Sequence, residues 1–531
     1  MNEYANRLWR AAAIGVALAA LPSLAAAFPA PKLDFTEFEM QLAETVAPDP
    51  GLAAFYGAHA LQPVFLGQDA TPRRAALLDA VATAPQHGLP PQRYETSGLE
   101  RDATSQDVAT ELRYARVLSL WANDVSNGLV NPSRTDSMNK REVVPVDMVA
   151  LLEEMTTGDP VRALAALPPG DPAYLRMKEM LAKRASLVAP AGTPEVASGV
   201  YKLGVSGPEV ANLRQRLASV GFQTAAAPVD PQAFDEGLAA AVTAYQQAAG
   251  IPDDGIAGPK TLAQLNGADA GPQTRRLMIA MERLRWLNGH DLNTRMIWVN
   301  IPSYMAEIRE GGQTTFETRV VVGKSDPDWE TPEFSETMEF VVPNPRWNVP
   351  RSIAAQSYLS KLRANRYAVA HLDVVDSKGR VIPRENIDFN KYSDSNFPYF
   401  LRQKPSPDNA LGQVKFMFPN PWNIYLHDTP SKGLFANANR AYSHGCVRVG
   451  RPFDLAYQLL RGNSSDPQGM FHNVLSKGDE RWIKLEEPLP IHLVYFTTIP
   501  GPDGQLRNYP DVYGRDARVW DAMQKAAEAS S

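Results

Sequence analysis

The sequence predicts a multi-domain α+β protein, helical in its first half and rich in short strands in its second half. A length of 531 residues is typical of about three or four domains. Up to about residue 190 apolar residues recur at helical spacing, whereas from about residue 290 short segments alternate apolar and polar residues. The hydrophobic share of 44% and the charged share of 21% are ordinary for globular proteins, which excludes a disordered or collagen-like chain.

The charge balance and the cysteine count narrow the function classes. Lysine and arginine number 53 against 59 acidic residues, a net charge of -6, which argues against a nucleic-acid binder that relies on a basic surface. The single cysteine, Cys446, excludes an intramolecular disulfide framework. In an exported protein a lone cysteine is either an inert buried residue or a reactive thiol. The residues around Cys446 must indicate which of the two it is.

The first 27 residues have the pattern of a secretory signal peptide. Two arginines precede the apolar run Ala11–Leu21, and Ala25–Ala27 supplies a small-residue cleavage pattern. The alternative is an uncleaved membrane anchor, but the run is shorter than the ~20 residues of a spanning helix and Pro22 interrupts it. We therefore expect residues 1–27 to be removed on export and the rest of the chain to contain no membrane span.

Residues 28–190 are predicted to form a helical scaffold domain. Arg73–His87 and Gln106–Gly128 carry apolar residues at helical spacing. No cluster of histidines, cysteines or acids in this region suggests a reaction centre. His59 and His87 are therefore interpreted as packing or surface residues.

A compact three-helix unit is predicted at residues 199–267. Each of its two longer helices has one apolar face, formed by Val210, Leu213, Leu217 and Val220 in the first and by Phe234, Leu238, Val242 and Tyr245 in the second. With the stretches Gly207–Leu217, Phe234-Asp235 and Asp254–Thr261, this unit resembles the peptidoglycan-binding module. The resemblance implies wall binding, and the alternative is that the helices serve only as a spacer.

Residues 290–500 are predicted to form a domain of short strands. The expected strands are Met296–Ile301, Tyr304–Glu310, Thr314–Val322, Glu339–Val342, Val414–Phe418, Ile424–Leu426 and Ile491–Thr498. Residues 346–413 interrupt this series and are too many for an ordinary loop. They are either a lid over a site or a surface decoration. Residues 501–531 follow as a C-terminal tail.

Two histidines near Cys446 favour nucleophilic chemistry. A free thiol is only a few per cent thiolate at neutral pH, so a nucleophilic cysteine benefits from an imidazole within reach. His427 lies nineteen residues upstream at the end of a predicted strand, so the chain can loop back, and we assign it as general base and later general acid. His444 is too close along an extended chain to face the sulfur easily and is expected to shape the loop.

The neighbours of Cys446 suggest how a reacting carbonyl could be held. Gly445 allows a tight turn, and the N–H groups of Gly445 and Cys446 are candidates for an oxyanion hole. Tyr425 shares a strand face with His427 and could donate a third hydrogen bond. Three ligands of these types, His427, His444 and Cys446, could instead hold a zinc ion, although no accompanying metal motif is present.

The run from Ser443 to Arg448, with a histidine nineteen residues upstream, resembles the signature of L,D-transpeptidases. Supporting stretches are Met281–Trp286, Val299–Pro302, Val322–Lys324, Thr331-Pro332 and Asn344–Pro350. Together with the helical scaffold and the wall-binding module, nearly the whole chain is similar to the large periplasmic branch of that family. The resemblance implies a β-sandwich catalytic domain with a capping subdomain at residues 346–413, and no cofactor or resident metal.

The resemblance also implies the reaction and the partners. Cys446 attacks the diaminopimelate carbonyl of a tetrapeptide stem, D-alanine leaves, and the amine of a second stem resolves the thioester into a 3–3 cross-link. Carbapenems would acylate the same thiol. Peptidoglycan stem peptides are the expected partners, with other wall-synthesis enzymes as possible further ones. The same acyl-enzyme could also serve protein attachment to the wall, D-amino acid exchange or carboxypeptidase hydrolysis. A non-enzymatic wall-binding protein with an inert Cys446 is a further alternative.

Three more side chains are candidates for substrate binding. Arg448 could hold a stem carboxylate through its two-pronged guanidinium or simply pin the loop. Trp422 and Tyr442 could line the cleft or only pack.

Asp428 suggests a Cys-His-Asp triad, but adjacent residues on a strand point to opposite faces. We therefore expect the backbone carbonyl of residue 428, rather than its carboxylate, to orient His427.

Overall fold

A computed structural model describes residues 35–100, 106–190, 192–223, 228–267, 271–501 and 503–529. The predicted signal peptide, residues 1–27, lies outside these residues. None of the helices in the described residues combines the length and the apolar character needed to cross a membrane. The chain divides into two compact units after Gln62.

The first unit contains two short helices, α1 (Glu37–Val46) and α2 (Pro50–Ala58). Thr36 begins α1 with a capping box, because its side chain accepts from the Glu39 N–H while the Glu39 carboxylate accepts from the Thr36 N–H. Asp49 caps α2 by accepting from the N–H groups of the first turn.

The second unit begins with a helical region. Its helices are α3 (Thr71–Ala82), α4 (Val108–Asn127), α5 (Pro132–Thr135), α6 (Met148–Thr157), α7 (Pro160–Ala165) and α8 (Pro172–Ala185). Aspartate side chains cap four of them, α4, α6, α7 and α8, as expected for a helix start in water. The helix predicted over Arg73–His87 ends at Ala82, and a 3₁₀ turn that contains Pro85 follows it.

Three helices make up the next region: α9 (Pro208–Ser219), α10 (Glu236–Ala249) and α11 (Pro259–Leu265). The apolar faces predicted for α9 and α10 pack into one core, and only Val220 of the two predicted faces is partly exposed. The helix α12 (Gly271–Arg285) then leads into the strands, and its apolar side packs against α8.

The remaining chain is mainly β. Its strands are β1 (Met296–Asn300), β2 (Met305–Glu310), β3 (Gln313–Gly323), β4 (Phe334–Pro343), β5 (Trp347–Val349), β6 (Leu372–Val375), β7 (Phe400–Gln403), β8 (Val414–Met417), β9 (Leu426–His427), β10 (Ala441–Ser443), β11 (Val447–Val449), β12 (Ile483–Val494), β13 (Thr498–Pro500) and β14 (Leu506–Asn508). The helices among them are α13 (Arg351–Ile353), α14 (Ser360–Ala364), α15 (Pro452–Leu459), α16 (Pro467–Leu475) and α17 (Arg515–Glu528).

Nine strands form the main sheet, in the order β10-β3-β11-β9-β8-β4-β12-β1-β2. The long strand β3 pairs with β2 through its first part and with β11 through Val320 and Val321. The series of paired strands that starts at β3 therefore closes on β3 again. Gly311 and Gly312 connect β2 to β3 with positive φ angles, as a tight two-residue hairpin requires. The enclosed side chains form one apolar core.

The segment predicted as a capping insertion leaves and re-enters the sheet at one place. Pro343 at the end of β4 pairs with Val414 at the start of β8, so the residues between them form a separate excursion. This excursion contains the three-stranded sheet β5-β7-β6, a helical run over residues 351–364 and an apolar core of its own. We call it the cap.

The segment described in the sequence only as a C-terminal tail contains regular structure. It contributes the helix α17, whose first residue, Arg515, has 0% of its side chain exposed. The Arg515 guanidinium lies 2.8 Å from Glu330, 3.0 Å from Glu333 and 3.4 Å from Asp136 of the helical region. Three parts of the second unit therefore meet at one buried cation.

Candidate active site

The register between two parallel strands places four of the predicted site residues side by side. In the pairing of β9 with β11, His427 lies opposite Arg448, and the Val447 N–H donates to the Tyr425 carbonyl at 3.1 Å. Tyr425 consequently lies beside Cys446. Because side chains alternate along a strand, these four residues share one face, and all four line a cavity of about 620 Å³.

The thiol of Cys446 is partly exposed to this cavity. Its sulfur lies 3.5 Å from the carbonyl oxygen of Asn423, which can accept the S–H hydrogen. Burial raises the pKa of Cys446 to about 11, while contacts with Tyr425 and the charge of Arg448 act in the opposite direction. In the absence of substrate the sulfur is therefore a neutral thiol at neutral pH.

His427 is held in one tautomer by its own strand. Its Nδ1 lies 2.5 Å from the Asp428 carbonyl oxygen, which can only accept a hydrogen bond. Nδ1 therefore carries the hydrogen, and Nε2 keeps a free lone pair. Burial, assisted by the charges of Arg448 and Lys432 and opposed by the Asp428 carbonyl, lowers the pKa of His427 to about 3, so the ring is a neutral base. The prediction that a backbone carbonyl orients this histidine is confirmed.

The Asp428 carboxylate serves another purpose. It accepts from the N–H of Thr429 at 2.6 Å and from the N–H of Gln413 at 2.9 Å, and it pairs with Lys432. Gln413 is the last residue before β8, where the cap rejoins the sheet. The carboxylate thus links the His427 strand to the end of the cap, and a Cys-His-Asp triad is not formed.

Gly445 adopts a conformation that suits glycine. Its φ of +104° lies in the region that L side chains rarely occupy, and an added Cβ would lie 3.3 Å from Ile424. The Thr331 hydroxyl donates to the Gly445 carbonyl at 2.8 Å. The peptide that joins Gly445 to Cys446 is therefore fixed, with the Cys446 N–H on the side opposite Thr331.

The proposed pair of oxyanion donors needs a correction. The Gly445 N–H donates to the Ser443 hydroxyl at 3.2 Å, and that hydroxyl donates to the Cys446 carbonyl at 2.5 Å. The Gly445 N–H is thus used inside the loop. The Cys446 N–H has no acceptor within the described residues, so it is the backbone donor that remains for a substrate carbonyl.

Two of the other predicted site residues line the cavity. The His444 ring packs edge-on against Trp329, with 4.5 Å between ring centroids, and both residues contribute to the cavity wall. Burial lowers the pKa of His444, as do the charges of Lys324 and Arg448. Trp422 lines the cavity and also packs on the core residue Phe334, at 4.7 Å between centroids, so both interpretations of Trp422 apply.

Tyr442, expected either to line the cleft or only to pack, does not line this cavity. It precedes Ser443 on β10, and neighbouring residues on a strand point to opposite faces. Because Ser443 is buried toward the reactive loop, Tyr442 points outward, where its hydroxyl accepts from Asn437 at 3.3 Å.

Arg448 lines the cavity with an unused donor. Its Nε is buried and has no hydrogen-bond partner within the described residues. Burial lowers the pKa of Arg448, and Cys446 opposes that shift. A buried guanidinium donor without a partner is costly in a resting protein and is satisfied when a ligand supplies an acceptor.

Several residues of the cavity wall carry no signal in the local sequence. The cap contributes Trp347 and Tyr358, and the loop between α5 and α6 of the helical region contributes Met138 and Lys140. Only the fold brings these segments to the thiol. Thr331 belongs to a stretch that the family resemblance includes, but its contact with Gly445 spans 114 positions and is invisible in sequence. The described residues contain no group of three or more side chains arranged to hold a metal ion.

Family models match three parts of the chain. Residues 294–475 match the L,D-transpeptidase catalytic domain, residues 50–181 match the scaffold domain, and residues 206–265 match the "Putative peptidoglycan binding domain". The strands β1–β11, with His427 and Cys446, thus fall within the first match, and α9–α11 fall within the third.

Two individual proteins are similar in sequence to parts of the chain. A protein of Haemophilus influenzae named "Putative L,D-transpeptidase" is 34% identical over 264 residues, which are 48% of this chain and 51% of the relative. A "Probable N-acetylmuramoyl-L-alanine amidase" of Bacillus licheniformis is 35% identical over 98 residues, 18% of this chain and 27% of the relative. The chain thus spans about half of the first relative and about a quarter of the second.

A solved L,D-transpeptidase structure from Xylanimonas cellulosilytica covers 56% of this chain and 98% of its own, at 14% identity and a TM-score of 0.14. A likeness at this level supports no conclusion about the chain. The catalytic-domain match is informative, because its range includes the paired strands β9 and β11 beside the thiol and the imidazole. Over residues 294–475 the chain is therefore similar to the L,D-transpeptidase catalytic domain.

Proposed function

We propose that this protein is an L,D-transpeptidase that forms 3–3 cross-links between peptidoglycan stem peptides, with Cys446 as nucleophile and His427 as the proton carrier. The observation that carries the proposal is the β9–β11 register, which aligns the thiol and the imidazole on one cavity face. The hydrogen bond from Nδ1 to the Asp428 carbonyl supports it, because it leaves Nε2 as the base.

The first half of the reaction forms a thioester. The Cys446 sulfur bonds to the diaminopimelate carbonyl carbon of a tetrapeptide stem while its proton passes to His427 Nε2. The Cys446 N–H faces the developing oxyanion, where a single well-placed donor is worth about 3 kcal/mol. The carbon–nitrogen bond then breaks, and His427 returns the proton to the departing amine of D-alanine.

The second half transfers the acyl group. The side-chain amine of a second stem attacks the thioester carbon and loses its proton to His427 as the carbon–sulfur bond breaks. The proton returns to the sulfur, and both residues are neutral again. A thiol with a pKa of about 11 and an imidazole with a pKa of about 3 make this resting state the favoured one.

Substrate recognition combines charge with wall contact. The partnerless Nε of Arg448 suits a stem carboxylate, which accepts in the plane of the guanidinium. The module α9–α11 would keep the enzyme on its polymeric substrate. This function places the protein outside the cytoplasm, in the periplasm, after removal of residues 1–27, where other wall-synthesis enzymes could act beside it.

The decisive experiment is product mass spectrometry after incubation of the purified protein with disaccharide-tetrapeptide. A cross-linked dimer that lacks one D-alanine is expected from the wild type. The Cys446→Ala variant should form no dimer and release no D-alanine. Its circular dichroism and melting temperature should match the wild type, because Cys446 lies on a loop at the cavity. Carbapenem should add its mass to the wild type and not to this variant.

The same assay separates the other acceptors. Release of D-alanine without a dimer would make water the acceptor and the enzyme a carboxypeptidase. Supplying a free D-amino acid, or a protein with an exposed lysine, tests exchange and wall attachment by the mass of the product. Dimer formation by Cys446→Ala would contradict the assignment of the nucleophile.

A further inference from the structure

A loop of the helical region forms part of the catalytic cavity. Met138 and Lys140 lie between α5 and α6, more than 150 residues before the catalytic strands that they approach, and both line the cavity that holds Cys446. The cavity is thus bounded by the sheet, by the cap and by this loop, which we call the scaffold loop (residues 136–141).

The backbone of the scaffold loop is fixed on the catalytic domain. The Lys140 N–H donates to the Glu333 carbonyl at 2.8 Å, and the Glu333 N–H donates to the Met138 carbonyl at the same distance. The buried Arg141 donates to the carbonyls of Phe334 and Leu493. A side chain carried on this loop therefore occupies a defined place relative to the thiol.

Asp136 adds a further anchor at the start of the loop. Its carboxylate lies 3.0 Å from Arg518 and 3.4 Å from Arg515, both on α17. The loop is therefore held at both ends by buried or partly buried ion pairs and hydrogen bonds. None of these contacts uses the Lys140 ammonium.

The Lys140 ammonium lacks an acidic partner in the described part of the chain. Its Nζ donates to the Ser137 carbonyl, a neutral acceptor on the same loop. Of the two acids in the cavity wall, Glu330 is already paired with Arg515 at 2.8 Å, which leaves Asp328. Lys140 and Arg448 therefore give the cavity an excess of positive charge, which favours an anionic ligand.

We propose that Lys140 is a carboxylate-binding residue of the substrate site, supplied by the scaffold loop and distinct from Arg448. The inference rests on the proposed function, whose peptide substrate carries free carboxylates. A lysine donates as a point charge and suits a carboxylate that approaches from solvent, whereas the flat guanidinium of Arg448 suits one held deeper. The helical region is then part of the substrate site and not only a support.

The test measures binding apart from turnover. In the full-length Cys446→Ala background, calorimetry gives the Kd of a tetrapeptide stem and of the same stem with its carboxylates amidated. We expect Lys140→Met to weaken the carboxylate stem by about tenfold, the loss of one charge-assisted contact, and to leave the amidated stem unchanged. Lys140→Arg should restore most of the affinity. Lys183→Met, an exposed lysine on α8, is the matched control.

The outcomes separate the assignment of Lys140 from the proposed function. Equal weakening of both stems by Lys140→Met, or no weakening of either, would overturn the carboxylate assignment. A lowered melting temperature of Lys140→Met with unchanged selectivity for the carboxylate stem would do the same. Failure of the Cys446-containing protein to release D-alanine would instead overturn the proposed function, because the binding measurement does not depend on turnover.

Discussion

The Thr331 hydroxyl donates a hydrogen bond of 2.8 Å to the carbonyl oxygen of Gly445, the residue before Cys446. The same hydroxyl accepts from the Gly323 N–H at 2.9 Å, and Thr331 is fully buried. Its own carbonyl accepts from Arg515 at 3.0 Å. Two hydrogen bonds, both made by Thr331, therefore connect the C-terminal helix α17 to the loop of Cys446.

Replacing the Thr331 hydroxyl should impair the chemical step. Thr331→Val keeps the shape but leaves the Gly445 carbonyl and the Gly323 N–H without a partner, at a stability cost of about 1–3 kcal/mol. We expect kcat for D-alanine release to fall by about a hundredfold with little change in KM, because a small misplacement of a nucleophile is costly. Thr331→Ser should retain most of kcat. A Thr331→Val enzyme with wild-type kcat and only a lower melting temperature would rule out a positioning role.

Adding a side chain at Gly445 should distort the nucleophile loop. At a φ of +104° an alanine is strained by about 1–3 kcal/mol, and its Cβ would press on Ile424. We expect Gly445→Ala to lose most D-alanine release and to melt at a lower temperature. Gly433→Ala is the control, because nothing lies within 4 Å of its added Cβ. Equal activity of the two variants would show that the loop tolerates the change.

Because a backbone carbonyl orients His427, substitutions of His427 and of Asp428 should have different effects on kcat. His427→Gln removes the base and should lower kcat by about 10²–10⁴-fold. Asp428→Asn keeps the backbone carbonyl and should change kcat only a few-fold, with its main effect on the melting temperature through Lys432 and Gln413. Steady-state kinetics on both variants measures the two changes in kcat. A loss of about 10⁴ for Asp428→Asn, as in triads that need the acid, would restore the Cys-His-Asp hypothesis.

The neutral resting thiol predicts a pH profile. Burial disfavours the thiolate and raises the pKa of Cys446 to about 11, so the reactive anion is scarce at pH 7 and grows as pH rises. Alkylation by iodoacetamide should accelerate about tenfold per pH unit between about pH 7 and 10, without levelling off. A model cysteine peptide, measured alongside, should level off near its ordinary pKa. A plateau of the enzyme below pH 8 would indicate a preformed thiolate instead.

Much of the fold follows from local pattern. The alternation of Ala306 and Ile308 with charged residues gives β2 its buried and exposed faces, and the two glycines after β2 give the hairpin. The choice of His427 over His444 also follows from local geometry, because an extended chain separates residues 444 and 446. These features depend on near neighbours in the sequence.

The rest depends on contacts between distant segments. Lys140 reaches the site because the scaffold loop is hydrogen-bonded to Glu333, and Thr331 reaches it because its hydroxyl binds both Gly323 and Gly445. The outward direction of Tyr442 depends on Ser443 being drawn inward by its hydrogen bonds to the nucleophile loop. The helix α17 has an amphipathic pattern, but the role of Arg515 becomes visible only when its three acidic partners converge.

The position of Arg515 near the end of the sequence has a consequence for the order in which these contacts form during synthesis of the chain. The ribosome adds Cys446 before it adds Arg515, so a nascent chain possesses the thiol while the cation that holds Thr331, and through it Gly445, does not yet exist. At that stage the carboxylates of Asp136, Glu330 and Glu333 do not yet have the Arg515 guanidinium to pair with. The thiol is thus present in the growing chain before its supporting contacts exist, and the loop of Cys446 gains its full support only after α17 is complete.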